Sequence, residues 1–263
     1  MAIVKHIKSK NANYTDAINY LFYQHDEKTK TLLLNEYGQP MLREEFYEDG
    51  LNCTPETFDL DCSGTNRTFN KNRRPGEIKS HHYIISYDPR DASDCGLTGE
   101  KAQELSLEVA QKMFPGHQAL VVTHTDGENH SGNIHTHIVI NSVRANETEK
   151  EDYMTQASDY KAGGKHRSTN KFMEHFKKEV MAMCEREGLH QIDLLSPAPE
   201  KVTEAEFRAK SRGQEKMEKI NKKITAEGLK PSATTFQTQK DFLRKAIKDC
   251  SREAKNFEEF QSL

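Results

Sequence analysis

The sequence has no apolar run approaching the roughly 18–20 residues needed to cross a bilayer. Only 34% of its residues are hydrophobic, against 30% that are charged. That balance excludes a membrane span and predicts a polar, soluble protein whose apolar residues are gathered into a few elements. The opening MAIVKHIKSK lacks a secretory core. Cysteine is scarce too: Cys53, Cys62, Cys95, Cys184 and Cys250 are odd in number and never stand at C-x-x-C spacing. The spacing excludes a disulfide framework and a zinc ribbon, and it predicts free thiols in a reducing cytoplasm. A dominant charge of one sign is also missing. The formal net charge of −3 does not mark a nucleic-acid binder, although the distribution is uneven. Residues 26–62 hold ten acids and three bases, while 201–263 hold fifteen Lys and Arg against ten acids. Such a mixed run reads first as a solvated helix face, one that can also contribute to a phosphate-facing surface.

The 263 residues suffice for one sizeable domain and an appendage. AIVKHI (2–7) reads as a strand, and TDAINYLFYQHDE as a helix with Thr15 at its N-cap and Ala17, Ile18, Leu21 and Phe22 on one apolar stripe. Residues 26–80 show little periodicity and read as a long, partly irregular insertion. HHYIISY (81–87), ALVVTH (119–124) and NIHTHIVINSV (133–143) read as strands, the last two joined by a loop of hairpin composition. Helices are predicted over 98–114, stopped by Pro115-Gly116, and over roughly 168–187, ending before Gly188. Past 196 the chain is charged and helix-like. Its final NFEEFQSL stops in mid-pattern, as expected of the front part of something longer.

Alternation in a strand puts His135, His137 and Val139 on one face and Ile134, Thr136, Ile138 and Ile140 on the other. An antiparallel hairpin folds His124 back beside His135, so three imidazoles can converge on one cation with open coordination positions. His82, of the pair His81-His82, is a candidate to face the same site, whereas His130 reads as a solvent-exposed loop residue. An ion on neutral imidazoles polarises a phosphoryl oxygen but supplies no nucleophile unless it activates water. Tyrosine is a capable nucleophile toward phosphorus. Tyr14 lies on the apolar stripe and reads as a core aromatic, while Tyr20 and Tyr23 lie off it and are not needed for packing.

The run HTDGENHSGNIHTHIVINSVR resembles the third motif of the P-type mobilisation relaxases of the HUH endonuclease superfamily, with His124, Asp126, His135, His137 and Asn141 at its defining positions. The opening MAIVKHIKSKNANYTDAINYLFYQHDEKT resembles their first motif, in which a helix carries the nucleophilic tyrosine shortly before a Lys-Thr pair, here Lys28-Thr29. That resemblance points to Tyr20, with Tyr23 as competitor. HHYIISYDPRD resembles the second motif, with Ser86 and Tyr87 ending the strand. The resemblance spans about residues 1–190. It implies an α/β (α+β) fold with a central antiparallel sheet of about five strands, helices on both faces, and a C-terminal helical extension. On this reading residues 1–195 form the relaxase domain and 196–263 the charged extension.

The resemblance further implies a divalent cation, Mg²⁺ or Mn²⁺, on the three histidines. It implies attack by the tyrosine on one phosphodiester at a transfer origin, leaving a free 3′ hydroxyl and a 5′-phosphotyrosyl bond. The implied partners are single-stranded and hairpin DNA, accessory relaxosome proteins and a type IV coupling and secretion system. The protein is expected in the bacterial cytoplasm and to be exported covalently attached to DNA. Candidate DNA contacts are Lys71, Arg73 and Arg74 in the insertion, Arg144, and the Gly163-Gly164 segment with Lys161, Lys165, His166 and Arg167. Three alternatives stand beside this reading: a rolling-circle replication initiator, for which Tyr23 is the second working tyrosine; a zinc hydrolase using bound water; and a non-catalytic DNA-binding module.

Overall fold

The computed structural model describes residues 2–26, 29, 31–126, 133–196 and 202–262. Lys28 and His130, singled out above, lie outside them. The chain forms two compact units, Met1–Ser196 and Pro197–Leu263.

The first unit is built on a five-stranded sheet with order β1-β3-β5-β4-β2. Its strands are β1 (Ile3–Ser9), β2 (Phe46–Leu51), β3 (Ser80–Ser86), β4 (Ala119–His124) and β5 (His135–Asn141). Every neighbouring pair is antiparallel, and the expected α/β architecture is borne out. One face carries the larger core: Tyr83, Ile85, Val121, Ile138 and Ile140 pack under α4 (Gly99–Met113) and α5 (Asn170–Arg186). Both helices start on threonine caps, Thr98 accepting from Lys101 N–H and Thr169 from Phe172 N–H, each satisfying an otherwise orphaned donor. The other face, with Leu120, Val122 and Val139, is covered by α1 (Thr15–Phe22) and α2 (Phe58–Thr68) through Tyr14, Leu21, Phe58 and Cys62. A six-residue helix, α3 (Pro89–Asp94), follows β3.

Tyr14 is a core aromatic, as its place on the stripe predicts. It is buried, with its hydroxyl 2.9 Å from the Lys79 carbonyl and 3.0 Å from Asn141 Oδ1. Two expectations need correction. Thr15 is the first helical residue of α1 rather than its cap, and its hydroxyl donates instead to Asp59 on α2 at 3.0 Å. The stretch 26–80 is also more regular than its composition implies. It supplies edge strand β2, whose FYEDGL has no clean alternation, and α2, whose FDLDCSGTNRT is weakly amphipathic. β2 owes its place to pairing with β4, a tertiary effect that local pattern does not carry.

The second unit contains α6 (Glu204–Ala226), α7 (Gln239–Glu253) and α8 (Phe257–Ser262). Capping boxes at Thr203 and Thr238 start the first two. Glu206 ties them together through Lys240 at 2.7 Å and Arg244 at 3.0 Å. No helix among the described residues is long and apolar enough to cross a membrane.

Candidate active site

The register assembles the site. His124 on β4 pairs with His135 on β5, and Val122 pairs with His137, so all three histidines share one sheet face. Their ring centroids are 5.2 Å (His124–His135), 4.8 Å (His124–His137) and 4.9 Å (His135–His137) apart. One nitrogen from each lies within 4.8 Å of the others, and this is a set that can close on one ion.

Each ring is held by its other nitrogen. His124 Nε2 donates to the Leu21 carbonyl at 2.8 Å, and His135 Nδ1 donates to the Asn133 carbonyl at 2.9 Å. A carbonyl can only accept, so these bonds fix the tautomers and leave His124 Nδ1 and His135 Nε2 as lone-pair donors. His137 Nδ1 stands 2.7 Å from His82 Nε2; with His137 as the donor of that bond, its Nε2 becomes the third lone-pair donor. Such partners orient a metal ligand and raise its basicity. Burial pushes the His124 imidazole down to about 3 and His82 to about 4, and drives His137 far below its ordinary value. Three imidazoles whose free nitrogens converge this closely fit a divalent cation.

On the opposite face, Thr123 and Thr136 hydroxyls lie 2.7 Å apart, and Thr123 donates to Gln103 Oε1 at 2.7 Å. This buried chain pins β4 to β5 directly beneath the histidines. It gives the central residue of the His-Thr-His run a structural reason to be polar.

Tyr20 is 44% exposed and stands over this cluster. Its ring centroid is 5.8 Å from His137 and 6.4 Å from His82, nearly perpendicular to the first (89°). The neighbouring residue Leu21 is the one whose carbonyl holds His124, so α1 positions the phenol and orients an imidazole at once. Tyr23 follows the helix and joins a β-bridge to Leu42. Among the described residues it makes no ring contact with the imidazoles.

The supporting residues divide. Ser86, paired with His135, accepts from the Asn133 amide at 2.6 Å and so steadies the loop residue that orients His135. Asp126 forms a 2.6 Å ion pair with Arg43. Asn141 sits four residues along β5 from His137, roughly 13 Å at strand rise. It is a buried anchor bonded to Tyr14 and Gln118, outside the imidazole cluster.

The basic residues divide as well. Lys71, Arg73 and Arg74 are exposed between α2 and β3. Arg144 is only 3% exposed, a correction to its reading as a DNA contact. It folds over Gly116, where a Cβ would meet Arg144 Nη1 at 2.8 Å. Lys165 is half-buried and donates to the Ile78 carbonyl at 2.8 Å, and Arg167 pairs with Asp159 at 3.2 Å. Neither is presented as a free phosphate ligand. Lys79 is turned inward onto the Asn72 and Arg74 carbonyls, and His166 is buried against Tyr83.

Two residues escaped the sequence reading. Arg43 lies close enough to depress His124 and His137, and its Nε is buried with no hydrogen-bond partner among the described residues. His25 brings its ring to 5.9 Å from Tyr20 and has Nδ1 bonded to the Tyr23 carbonyl at 3.0 Å. Arg43 stands in the aperiodic stretch with no motif around it. His25 closes the α1 segment and could have been weighed with the tyrosines.

Comparisons with known proteins give the chain's family. The family model described as relaxase, MobA/VirD2-like, nuclease domain, matches residues 33–189, more than half the chain. A protein named rlx from Staphylococcus aureus is 32% identical over 142 residues, covering 54% of this chain and 36% of that protein. Another rlx protein of that organism is 25% identical over 213 residues, covering 80% and 56%. The chain thus spans about a third to a little over half of these curated relatives. Among solved structures, one described as the molecular basis of vancomycin resistance transfer in S. aureus aligns at 15% identity and TM-score 0.43, covering 73% of this chain and 96% of that one. The conjugative relaxase TrwC in complex with oriT DNA, in its metal-bound form, aligns at 13% identity and TM-score 0.41, covering 97% and 92%.

Proposed function

Since the chain belongs to the MobA/VirD2-like relaxase family through its nuclease domain, we propose that it nicks one DNA strand at a transfer origin to initiate conjugative transfer. Residues 1–195 are the nicking domain and 196–263 a charged helical extension. The observation that carries this reading is the Tyr20 ring standing over the convergent His124, His135 and His137 imidazoles, 5.8 Å from His137.

His124, His135 and His137 would hold a divalent cation, Mg²⁺ or Mn²⁺, which when bound polarises a phosphoryl oxygen and spreads the charge of the transition state. Tyr20 Oη attacks the phosphorus, forming a phosphotyrosyl bond to the 5′ side as the bond to the 3′ oxygen breaks, and that oxygen takes a proton from water to become the 3′ hydroxyl. The phenolic proton passes to His25, whose Nε2 is left as an acceptor by the bond at its Nδ1. Arg43, held by Asp126, places a guanidinium beside the reacting phosphate, where a preorganised cation favours developing charge. Because the phosphotyrosine conserves the bond energy, a later 3′ hydroxyl can reverse the step and reseal the strand. Exposed Lys71, Arg73 and Arg74 contribute to holding single-stranded and hairpin DNA. Accessory relaxosome proteins, a type IV coupling and secretion system, a cytoplasmic site of action and export attached to the nicked strand complete the proposal.

The test mixes the protein with labelled single strands tiled across the DNA element that carries its gene, in Mg²⁺ or Mn²⁺. A denaturation-resistant protein–DNA adduct is expected, lost with EDTA and with His135→Ala. Cleavage without any adduct would instead favour water as the nucleophile.

A further inference from the structure

We propose that Asp91, Cys95 and His190 form a second divalent-cation site, of the thiolate-containing zinc class, independent of the imidazole cluster. Asp91 on α3 and Cys95 just beyond it stand four residues apart, one helical turn, and so face the same way. His190 arrives from the far end of the unit. The turn at Gly188, with φ of +66°, ends α5, and Leu189 N–H bonds back to the Cys184 carbonyl at 2.8 Å. That left-handed turn, which suits glycine, returns the chain to α3.

The three donor atoms form a compact triangle. Asp91 Oδ1 is 2.8 Å from His190 Nδ1, and Cys95 Sγ is 3.9 Å from that oxygen and 3.8 Å from that nitrogen. A tetrahedral zinc ion with bonds of about 2.0 Å to oxygen, 2.0–2.1 Å to nitrogen and 2.3 Å to sulfur sets its ligands roughly 3.3 Å (O–N) and 3.5 Å (S–N and S–O) apart. The observed triangle differs from this by about 0.3–0.5 Å, shorter on the O–N side and longer on the two sulfur sides, within side-chain adjustment. Asp91 is fully buried, and its Oδ1 also accepts from His190 N–H at 2.8 Å. The donor that anchors the site is therefore fixed by backbone as well as by side chain. The exposed Asp94 carboxylate lies 3.6 Å from His190 Nε2, close enough to add negative charge beside the site but too far for a direct hydrogen bond. One thiolate, one imidazole and one carboxylate suit a borderline ion such as Zn²⁺ better than Mg²⁺ or Mn²⁺, and leave a fourth position for water.

The site would staple distant parts of the fold. The Ala2 N–H bonds to the His190 carbonyl at 3.3 Å, so an ion here would join the entry to β1, α3 and the segment after α5. No ligand is shared with His124, His135 or His137, and the chemistry differs, because the imidazole cluster has no sulfur. That difference supplies the readout.

EDTA-treated protein is titrated with Co²⁺, a spectroscopic stand-in for Zn²⁺, and followed by absorption. A thiolate-to-cobalt charge-transfer band saturating at one ion per chain is expected, in the wild type and equally in His135→Ala. Excess Zn²⁺ should abolish it. Cys95→Ser should lose the band while keeping the wild-type circular dichroism spectrum, and His190→Ala should weaken Co²⁺ binding at least tenfold. Zn²⁺ should raise the melting temperature of His135→Ala but not of a Cys95→Ser/His135→Ala double variant. Absence of the band in the wild type overturns the proposal. Its persistence in Cys95→Ser overturns it equally, by moving the thiolate to another cysteine.

Discussion

Replacing His82 by phenylalanine removes one hydrogen bond and keeps an aromatic ring of similar size, so it isolates what that bond does. The 2.7 Å contact between His82 Nε2 and His137 Nδ1, with His137 as donor, is the arrangement that leaves His137 Nε2 for the cation. Losing an outer partner of this kind costs about 10–100-fold in metal affinity, or about 1.4–2.7 kcal/mol. His137 Nδ1 is also stranded in a buried pocket, a penalty of about 1–3 kcal/mol that falls on the folded protein with or without metal. Mn²⁺ binding is read by electron paramagnetic resonance of the free ion over EDTA-treated protein. A Cys95→Ser background keeps the proposed thiolate site from contributing. His82→Phe should weaken binding by 10–100-fold and His82→Gln, which retains an acceptor, by less than tenfold. Saturating Mn²⁺ should restore nicking to His82→Phe but not to His137→Ala. Wild-type Mn²⁺ affinity in a folded His82→Phe protein would refute the argument that His82 orients His137.

Thr123→Val breaks the buried Gln103–Thr123–Thr136 chain and should destabilise the first unit by about 1–3 kcal/mol in urea unfolding; an unchanged midpoint would remove that chain from the account. Arg43→Met should lower the nicking rate by about 10²–10³-fold with little change in single-strand affinity, and a loss confined to affinity would make Arg43 a binding residue only. Stability should also fall in acid. Burial holds His81 and His124 at about 3 in the folded protein, so the unfolded chain takes up these protons first, below about pH 6.5. The contribution is complete above that pH and is lost downward toward pH 3, at roughly 1.4 kcal/mol per pH unit for each such histidine. Equilibrium denaturation at pH 7.5 and 5.5 checks this, and equal stabilities would contradict it.

The convergence of the three histidines was legible because strand alternation is strict. His135 and His137 had to share a face, the hairpin had to return His124 beside them, and Val and Ile around them marked the strands. Tyr20 could be read only as not needed for packing; its choice over Tyr23 came from the resemblance, and its position over His137 is a product of how α1 lies on the sheet. What escaped was set by partners far along the chain. β2 forms because β4 offers it an edge, and Arg43 reaches the imidazoles through Asp126, 83 residues away. Arg144 is exposed on any local reading, yet it is buried because Gly116 leaves room for it. Lys165 and Lys79 are likewise drawn to backbone carbonyls that no local pattern announces. The Asp91–Cys95–His190 triangle spans 99 residues and follows no C-x-x-C rule. The cysteine spacing, read only for C-x-x-C pairs, was silent on a mixed site.

The account turns on which oxygen attacks phosphorus. The adduct formed on single-stranded DNA is digested with nuclease and protease, and the peptide bearing the residual nucleotide is sequenced by mass spectrometry. The label should fall on Tyr20, through a phosphate at the 5′ end of the cut strand, and Tyr20→Phe should yield none. A label on Tyr23, or cut strands ending in free 5′ phosphate with no labelled peptide, would contradict it.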